Sequence, residues 1–195
     1  EGDIVEVDGT IIKPKEDKVY IALYKPVGIT CTTEGHIEGN IVDYVNYKER
    51  IFPIGRLDKD SEGLILLTND GDIVNRILRE ENHHEKEYIV TVDKPLDSKT
   101  LKQMSQGVRI YNPVKNTYTT TKPCKIHKIS EKSFKIVLSQ GLNRQIRRMC
   151  QHFGYKVRKL KRVRILNITL DGLSYGKWRF LTQAEVASLK TKTDI

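Results

Sequence analysis

The sequence PIGRLDKDSEGLILLTNDG, residues 53–71, decides most of what the chain reveals about its fold. Residues 53–62 combine glycine, proline and charged side chains, a composition that predicts an irregular loop. Residues 63–68 form a continuous apolar run, which predicts a buried strand. Asp70 follows the strand and is placed to cap a helix over residues 71–78.

Asp58 lies in the polar loop directly before the predicted buried strand. Loops held by rigid strands often carry the reactive groups of proteins, so Asp58 is a candidate catalytic carboxylate. On spacing alone, an aspartate that forms an Asx-type turn with its own backbone explains the position more simply. Both interpretations stay open at this point.

Short strands and helices alternate irregularly along the rest of the chain. Further strands are predicted at residues 19–24, 88–92, 125–129, 134–138 and 157–170. Further helices are predicted at residues 41–45, 97–106, 144–153 with Asn143 as cap, and 182–190 with a Thr182–Glu185 capping box. Because no regular βαβ alternation appears, the predicted class is α+β, with a largely antiparallel central sheet and flanking helices.

Charge is concentrated in one part of the chain. Lysine and arginine exceed aspartate and glutamate by 34 − 25 = +9. Residues 141–164 contain no acid and nine basic residues, namely Arg144, Arg147, Arg148, Lys156, Arg158, Lys159, Lys161, Arg162 and Arg164. This surface predicts a polyanionic partner, for which nucleic acid is the commonest choice. A solvated basic face without a partner is the alternative.

Several protein classes are disfavoured by composition. The three cysteines, Cys31, Cys124 and Cys150, are odd in number and widely spaced, which favours reduced thiols over a disulfide framework or zinc knot. The adjacent His83 and His84 lack a third ligand at metal-site spacing. No apolar run approaches the roughly 20 residues of a membrane span, and no signal peptide opens the sequence. We therefore expect a cytoplasmic protein without a bound metal.

Four segments, taken together and in order, resemble the RNA pseudouridine synthases. They are YKPVGIT at 24–30, the sequence 53–71 quoted above, KEY at 86–88 and GLNRQIRRM at 141–149. The resemblance extends over residues 19–189 and is strongest to the ribosomal branch, whose members often begin with an S4 RNA-binding domain. It implies the pseudouridine synthase fold over residues 19–195. Residues 1–18 would be the remnant of an S4 domain with a linker.

The resemblance also implies an activity. Such enzymes convert a specific uridine of structured RNA to pseudouridine without a cofactor. For this branch the expected substrate is 23S rRNA, with a tRNA as a further candidate, and the expected state is a monomer. A catalytically silent RNA-binding or ribosome-assembly factor on the same fold is the rival hypothesis. A metal-dependent nuclease would need a carboxylate cluster that the sequence lacks.

Residue roles follow from the same resemblance. Asp58 would act on the ribose, either as a nucleophile at C1′ or as a base at C2′. Tyr88 would stack on the uracil and assist loss of the C5 proton, and Arg147 would pair with Asp58. Without the family, Tyr88 is more simply a core tyrosine, and Arg147 a phosphate-binding or solvated arginine. Residues expected at the substrate are Arg56, which can fill the gap left by the extruded base, and Leu142, Asn143, Arg144 and Ile146.

The remaining basic residues are expected to contact the RNA backbone, which positions RNA without reading its sequence. They are Arg148, Lys156, Arg158, Lys159, Lys161, Arg162 and Arg164. Trp178 and Phe180 are predicted to belong to the core.

Overall fold

The structure, a computed structural model, describes residues 5–7, 10–12, 17–79 and 83–193. Strands β1 to β13 span Val5–Val7, Thr10–Ile12, Tyr20–Lys25, Phe52–Ile54, Glu62–Thr68, Lys86–Val92, Arg109–Asn112, Thr117–Thr120, Lys125–Lys128, Ser133–Leu138, Val157–Ile165, Ile168–Thr169 and Trp178–Phe180. Helices α1 to α5 span Ile41–Val45, Gly71–Arg79, Ser98–Ser105, Gln145–His152 and Gln183–Thr193.

The described strands build one large sheet and two hairpins. The large sheet has the order β13-β3-β5-β11-β6-β10-β9, with β4 added beside β5 and β12 beside β11. The pairing of β11 with β5 is parallel, and the other pairings in this sheet are antiparallel. The predicted α+β class with a largely antiparallel sheet is therefore confirmed. None of the described helices is long and apolar enough to cross a membrane.

Strand β5 is an interior strand of the sheet, between β3 and β11, and all seven of its residues are buried. Burial on both faces explains its continuous apolar run. Gly63 in this strand has φ +120°, and a Cβ atom there would lie 2.2 Å from the carbonyl oxygen of Arg162. Only glycine allows β5 and β11 to approach this closely. The approach occurs a few residues after Asp58 and fixes where that loop ends.

Local caps begin three helices as predicted. Asp70 Oδ1 accepts from the backbone N–H of Asp72 at the start of α2. Asp97 Oδ1 accepts from the N–H of Thr100 at 2.7 Å in α3. At α5, Thr182 and Glu185 form the reciprocal pair of hydrogen bonds of a capping box.

The predicted start of α4 is wrong. The cap position is Arg144, not Asn143, and Arg144 has left-handed backbone angles (φ 47°, ψ 38°) with no side-chain cap. Asn143 instead accepts from the guanidinium of Arg148 through its backbone carbonyl and its Oδ1. Gln145 Oε1 reaches back to the N–H of Leu142 at 3.3 Å. The left-handed turn therefore directs Arg144 away from the helical course that the prediction assumed.

Other elements also differ from the prediction. Strand β4 overlaps the start of the predicted loop 53–62 and pairs with β5. The hairpin of β7 and β8 was not predicted, and the predicted strand 157–170 is divided into β11 and β12 by a turn at Leu166. Trp178 is partly buried against the core, but Phe180 is 51% exposed, so its assignment to the core is wrong.

The N-terminal segment 1–18 is described only in part. Strands β1 and β2 pair antiparallel, with Val5 opposite Ile12. Residues 1–4, 8, 9 and 13–16 lie outside the described residues, so the predicted linker is largely beyond what the structure describes.

Candidate active site

A cavity of about 350 Å³ lies where the loop after β4, strand β6 and the segment before α4 meet. Its walls include all but one of the residues expected to act on the uridine or bind it, namely Asp58, Tyr88, Arg56, Leu142, Asn143, Arg144 and Ile146. These residues come from three separate segments of the chain. The exception is Arg147, which does not line the cavity.

Asp58 sits at the cavity on a tight turn. Its backbone carbonyl accepts from the N–H of Ser61 at 3.0 Å, and the preceding Leu57 is buried in a core cluster. The side chain of Asp58 remains 39% exposed. The turn thus presents the carboxylate to the cavity from a backbone anchored on both sides.

Arg162 holds the other side of this loop. Its side chain is buried, with 3% of the residue exposed, and it donates to the carbonyl oxygens of Leu64 at 2.8 Å and Arg56 at 3.2 Å. The expectation that Arg162 contacts RNA phosphates is therefore wrong. Because β11 lies in the sheet interior between β5 and β6, a basic residue of this strand can point inward and support the Asp58 loop.

Lys25, at the end of β3, is a second buried cation beside the loop and was not predicted. The residue has no exposed surface, and its Nζ donates to the carbonyls of Pro26 and Ile29 at 2.9 Å and of Lys59 at 3.4 Å. Burial lowers the pKa of its ammonium group. Lys25 lies in the quoted segment 24–30, but the sequence gives no sign of its distant partner, the carbonyl next to Asp58.

Arg144 contacts both carboxylates of the loop. It forms a two-pronged pair with Asp60, at 3.1 and 2.8 Å, and its Nη1 lies 3.4 Å from Oδ2 of Asp58. Hydrogen bonding to Arg144 is the largest cause that lowers the pKa of Asp60, with its charge and that of Arg147 adding to it, against a smaller opposing effect of burial. The same hydrogen bond to Asp60 raises the pKa of the Arg144 guanidinium.

Arg147 occupies a different place from the predicted one. Its Nη2 donates to the carbonyl of Asp60 and to Oγ of Ser61, both at 3.1 Å, and lies 3.5 Å from Oδ1 of Asp60. Among the described residues, the ion pair of Asp58 is with Arg144, so the predicted direct Arg147–Asp58 pair is wrong. Burial lowers the pKa of Arg147. Its contacts brace the loop rather than the Asp58 carboxylate.

Tyr88 and Ile146 form apolar walls of the cavity. Tyr88 is partly buried in β6, opposite Arg162 of β11 and Ile136 of β10, and it packs against the first core cluster. Ile146 is buried in the same cluster. Tyr88 is therefore both a core tyrosine and a cavity residue, so the two interpretations of it are compatible. Lys86 also lines the cavity and was not predicted.

The basic residues of β11 and its neighbours divide into two groups. Lys156, Arg158 and Lys159 are exposed, as contact with RNA phosphates requires, although Lys159 lies 3.8 Å from Glu62. The rest are partly buried and engaged within the protein. Lys161 lies over the ring of Tyr24, Arg164 pairs with Glu85 and Glu87, and Arg148 binds Asn143. In residues 17–79 and 83–193, no three His, Cys, Asp or Glu side chains are grouped to hold a metal.

Comparison with known proteins gives consistent similarities. A family profile described as RNA pseudouridylate synthase matches residues 19–152. The chain is 57% identical over 190 residues to "Dual-specificity RNA pseudouridine synthase RluF" of Escherichia coli (strain K12), which covers 96% of this chain and 63% of that protein. It is 34% identical over 195 residues to "Ribosomal large subunit pseudouridine synthase B" of Bacillus subtilis (strain 168), covering 98% and 79%.

A solved structure shares the fold. The solved structure described as "Crystal structure of pseudouridylate synthase" superposes on this chain with a TM-score of 0.79. The two sequences are 31% identical, and the match covers 92% of this chain and 76% of that one. This similarity confirms the fold expected from the four quoted segments. The chain spans 63% of the length of the RluF protein that it matches.

Proposed function

Because the chain belongs to the RNA pseudouridylate synthase family, we propose that it isomerises uridine to pseudouridine in RNA. The observation that carries this proposal is the cavity in which Asp58, Tyr88 and Arg144 converge from three segments of the chain. A protein that only bound RNA would have no need of a partly exposed carboxylate at the centre of such a cavity. The silent RNA-binding factor remains the alternative that an activity assay must test.

The reaction assigns a task to each wall of the cavity. The target uridine leaves its stack, which costs a few kcal/mol, and its uracil enters beside Tyr88. Asp58 attacks C1′ or removes the C2′ proton, and the C1′–N1 bond breaks with its electron pair leaving on the uracil. The ring turns and C5 bonds to C1′, either as the bond between Asp58 and C1′ breaks or as the abstracted proton returns to C2′. C5 then loses its proton, and N1 gains one. Substrate and product are isomers, and the only exchange with water is that of the proton at C5. The reaction involves no net oxidation or reduction, so the chemistry requires no cofactor.

Substrate and cellular setting are further parts of the proposal. We infer that the substrate is 23S rRNA with a tRNA as a second substrate. The dual-specificity and large-subunit names of the two relatives support this inference. The exposed Lys156, Arg158 and Lys159 would contact RNA phosphates. We further propose that the protein acts as a monomer and that it works on these RNAs in the cytoplasm.

The domain division is proposed in the same terms. Residues 19–195 would form the catalytic unit, in agreement with the start of the family match at residue 19. Residues 1–18 would be the closing part of an S4 RNA-binding domain with its linker, to which the hairpin of β1 and β2 would belong.

Tritium release tests the proposed activity directly. The chain is incubated with 23S rRNA and tRNA transcripts that carry tritium at C5 of uridine, in excess EDTA and without nucleotide or reductant. We expect tritium to appear in water in proportion to the pseudouridine that forms. Binding of both RNAs without release from either would instead identify a silent RNA-binding factor. Loss of release on chelation, with the RNA fold shown intact, would mean that the site is incomplete as proposed.

Replacing Tyr88 with phenylalanine separates stacking from proton transfer. The ring is retained, so we expect RNA affinity to stay within about twofold of wild type. Turnover should fall by about 100-fold, the lower end of what a positioned proton-transfer group contributes. Tyr88→Leu serves as the comparison, since it should also weaken binding of the target base. Wild-type turnover by the phenylalanine variant would remove the hydroxyl from the mechanism.

A further inference from the structure

A second basic surface lies outside the cavity. Residues 98–130 contain no aspartate or glutamate, and their seven lysine and arginine residues are all exposed: Lys99, Lys102, Arg109, Lys115, Lys122, Lys125 and Lys128. A stretch of this length with one sign of charge attracts a polyanion. The hairpin of β7 and β8, which we call the ribbon (residues 109–120), lies in the middle of it.

The ribbon has one buried face and one exposed face. Ile110 is buried in the first core cluster together with Ile146 of α4, so one face packs against the helix that also forms a cavity wall. The opposite face carries Arg109, Tyr111 and Tyr118, which the alternation of side chains places together. Val114 at the tip is 80% exposed. The ribbon is thus fixed at its base and free along its outer face.

Three side chains on the outer face of the ribbon lie side by side, with the two tyrosine rings tilted at 51° to each other. The rings of Tyr111 and Tyr118 are paired across the strands, with centroids 4.9 Å apart. The guanidinium of Arg109 lies 4.2 Å from the centroid of the Tyr118 ring, and the hydroxyl of Tyr111 is hydrogen-bonded to Asn116. Tyr118 is nevertheless 61% exposed. Exposed aromatic rings in contact with an arginine, in a part of the chain that carries only basic charge, are an arrangement on which unpaired nucleic-acid bases stack.

The base of the ribbon is connected to the cavity. Val108 and Thr121 bind each other through two hydrogen bonds, of 2.9 and 2.8 Å. Immediately after them, the N–H of Lys122 donates to Oε1 of Gln140 at 2.8 Å, and Gln140 lines the cavity. The base of the ribbon is therefore one hydrogen bond away from a residue of the cavity wall, so that one RNA molecule can contact both.

We propose that the outer face of the ribbon binds an unpaired nucleotide of the substrate RNA, by stacking on Tyr111 and Tyr118, with exposed lysines of residues 98–130 on phosphates of the same RNA. This inference rests on the proposed function in taking the partner to be RNA. It adds that the substrate must offer an unpaired base away from the target uridine. Paired RNA has no free base face and would gain only the phosphate contacts.

The test measures binding rather than turnover. Dissociation constants are determined by fluorescence anisotropy for a labelled RNA stem-loop with an unpaired loop and for a blunt RNA duplex of the same length. The Tyr111→Ala/Tyr118→Ala variant should bind the stem-loop at least about tenfold more weakly, in line with the loss of one stacked base, and the duplex within twofold of wild type. Tyr44→Ala removes an exposed tyrosine from α1 as the matched control and should change neither value.

Each outcome bears on the proposal. Unchanged stem-loop affinity in a double variant with a native melting temperature would overturn it, as would equal losses for the two RNAs. If the double variant does not fold, the Tyr118→Trp variant provides the test. The tryptophan fluorescence that this variant shows in addition to that of wild type should be quenched when the stem-loop binds, and fluorescence that is not quenched would overturn the proposed stacking. Because affinity is measured separately from tritium release, absence of turnover in the wild type would count against the proposed function alone.

Discussion

Replacing Asp58 with asparagine is expected to abolish pseudouridine formation while leaving the fold and the RNA affinity in place. Asparagine keeps the shape of the side chain but offers neither a nucleophilic carboxylate nor a base for the C2′ proton. Turnover should therefore fall by at least about 1,000-fold, the range associated with loss of such a group. Tritium release from C5-labelled RNA measures the change, and anisotropy with the same RNA measures affinity.

Stability provides the control for this variant. Asp58 is 39% exposed, and its ion pair with Arg144 is at 3.4 Å, so its contribution to folding is expected to be below about 1 kcal/mol. The melting temperature should stay within a few degrees of wild type. Tritium release near the wild-type rate by a natively folded Asp58→Asn protein would remove Asp58 from the chemistry and leave the cavity without its reactive group.

Local signals explain what could be predicted from the sequence. The buried strand β5 was evident because a strand covered on both faces has an apolar run. The starts of α2, α3 and α5 were evident because Asp70, Asp97 and the Thr182–Glu185 pair bind groups only two or three residues away. The position of Asp58 in a loop before such a strand made it a candidate, but its catalytic role was inferred from the resemblance of residues 53–71 to the RNA pseudouridine synthases. In each case the information lies within one short segment.

Long-range contacts explain what was missed. Arg162 was expected at the RNA backbone and Lys25 was given no role, but each is buried against carbonyls of the Asp58 loop, up to 106 residues away for Arg162. Only the parallel pairing of β11 with β5 brings Arg162 there. The ribbon was missed for a local reason. Strand β8 is exposed throughout, so its sequence shows no apolar periodicity that would predict a strand.

The identity of the arginine beside Asp58 shows how one backbone conformation changes a functional assignment. A helical wheel that starts α4 at residue 144 places Arg147 nearer the core and Arg144 further from it. In the structure Arg144 has a left-handed conformation and the helix begins one residue later, at Gln145. The side chain of Arg144 is thereby directed to Asp58 and Asp60. A non-glycine residue in this conformation costs on the order of 1–3 kcal/mol and often marks a functional site.

Replacing Arg144 with alanine is expected to lower turnover by about 100-fold, which corresponds to about 2.7 kcal/mol of transition-state stabilisation. Its guanidinium is fixed by two hydrogen bonds to Asp60 and reaches Asp58 from there. Negative charge develops on the uracil as the C1′–N1 bond breaks, so a fixed cation in the cavity wall affects the reaction more than the fold. Arg144→Lys should recover only part of the loss, because lysine cannot reproduce the two-pronged geometry.

Arg147 and Arg148 provide comparisons on the same helix. Arg147 is 16% exposed and binds the backbone of Asp60, so Arg147→Ala should lower the melting temperature as well as turnover. Arg144 is 38% exposed, and its alanine variant should melt near wild type. Arg148 binds only Asn143 among the described residues, so Arg148→Ala should retain turnover within a few-fold.

A double-mutant cycle decides whether Asp60 acts through Arg144. If Asp60 positions the guanidinium, Asp60→Asn should lower turnover by itself but add little in the Arg144→Ala background. The coupling measured on turnover should then approach the effect of Asp60→Asn alone. Additive losses would mean that the two residues contribute independently, and wild-type turnover of Arg144→Ala would exclude the proposed cation altogether. Strong coupling would instead show that a carboxylate remote from the ribose sets the position of the cation beside Asp58.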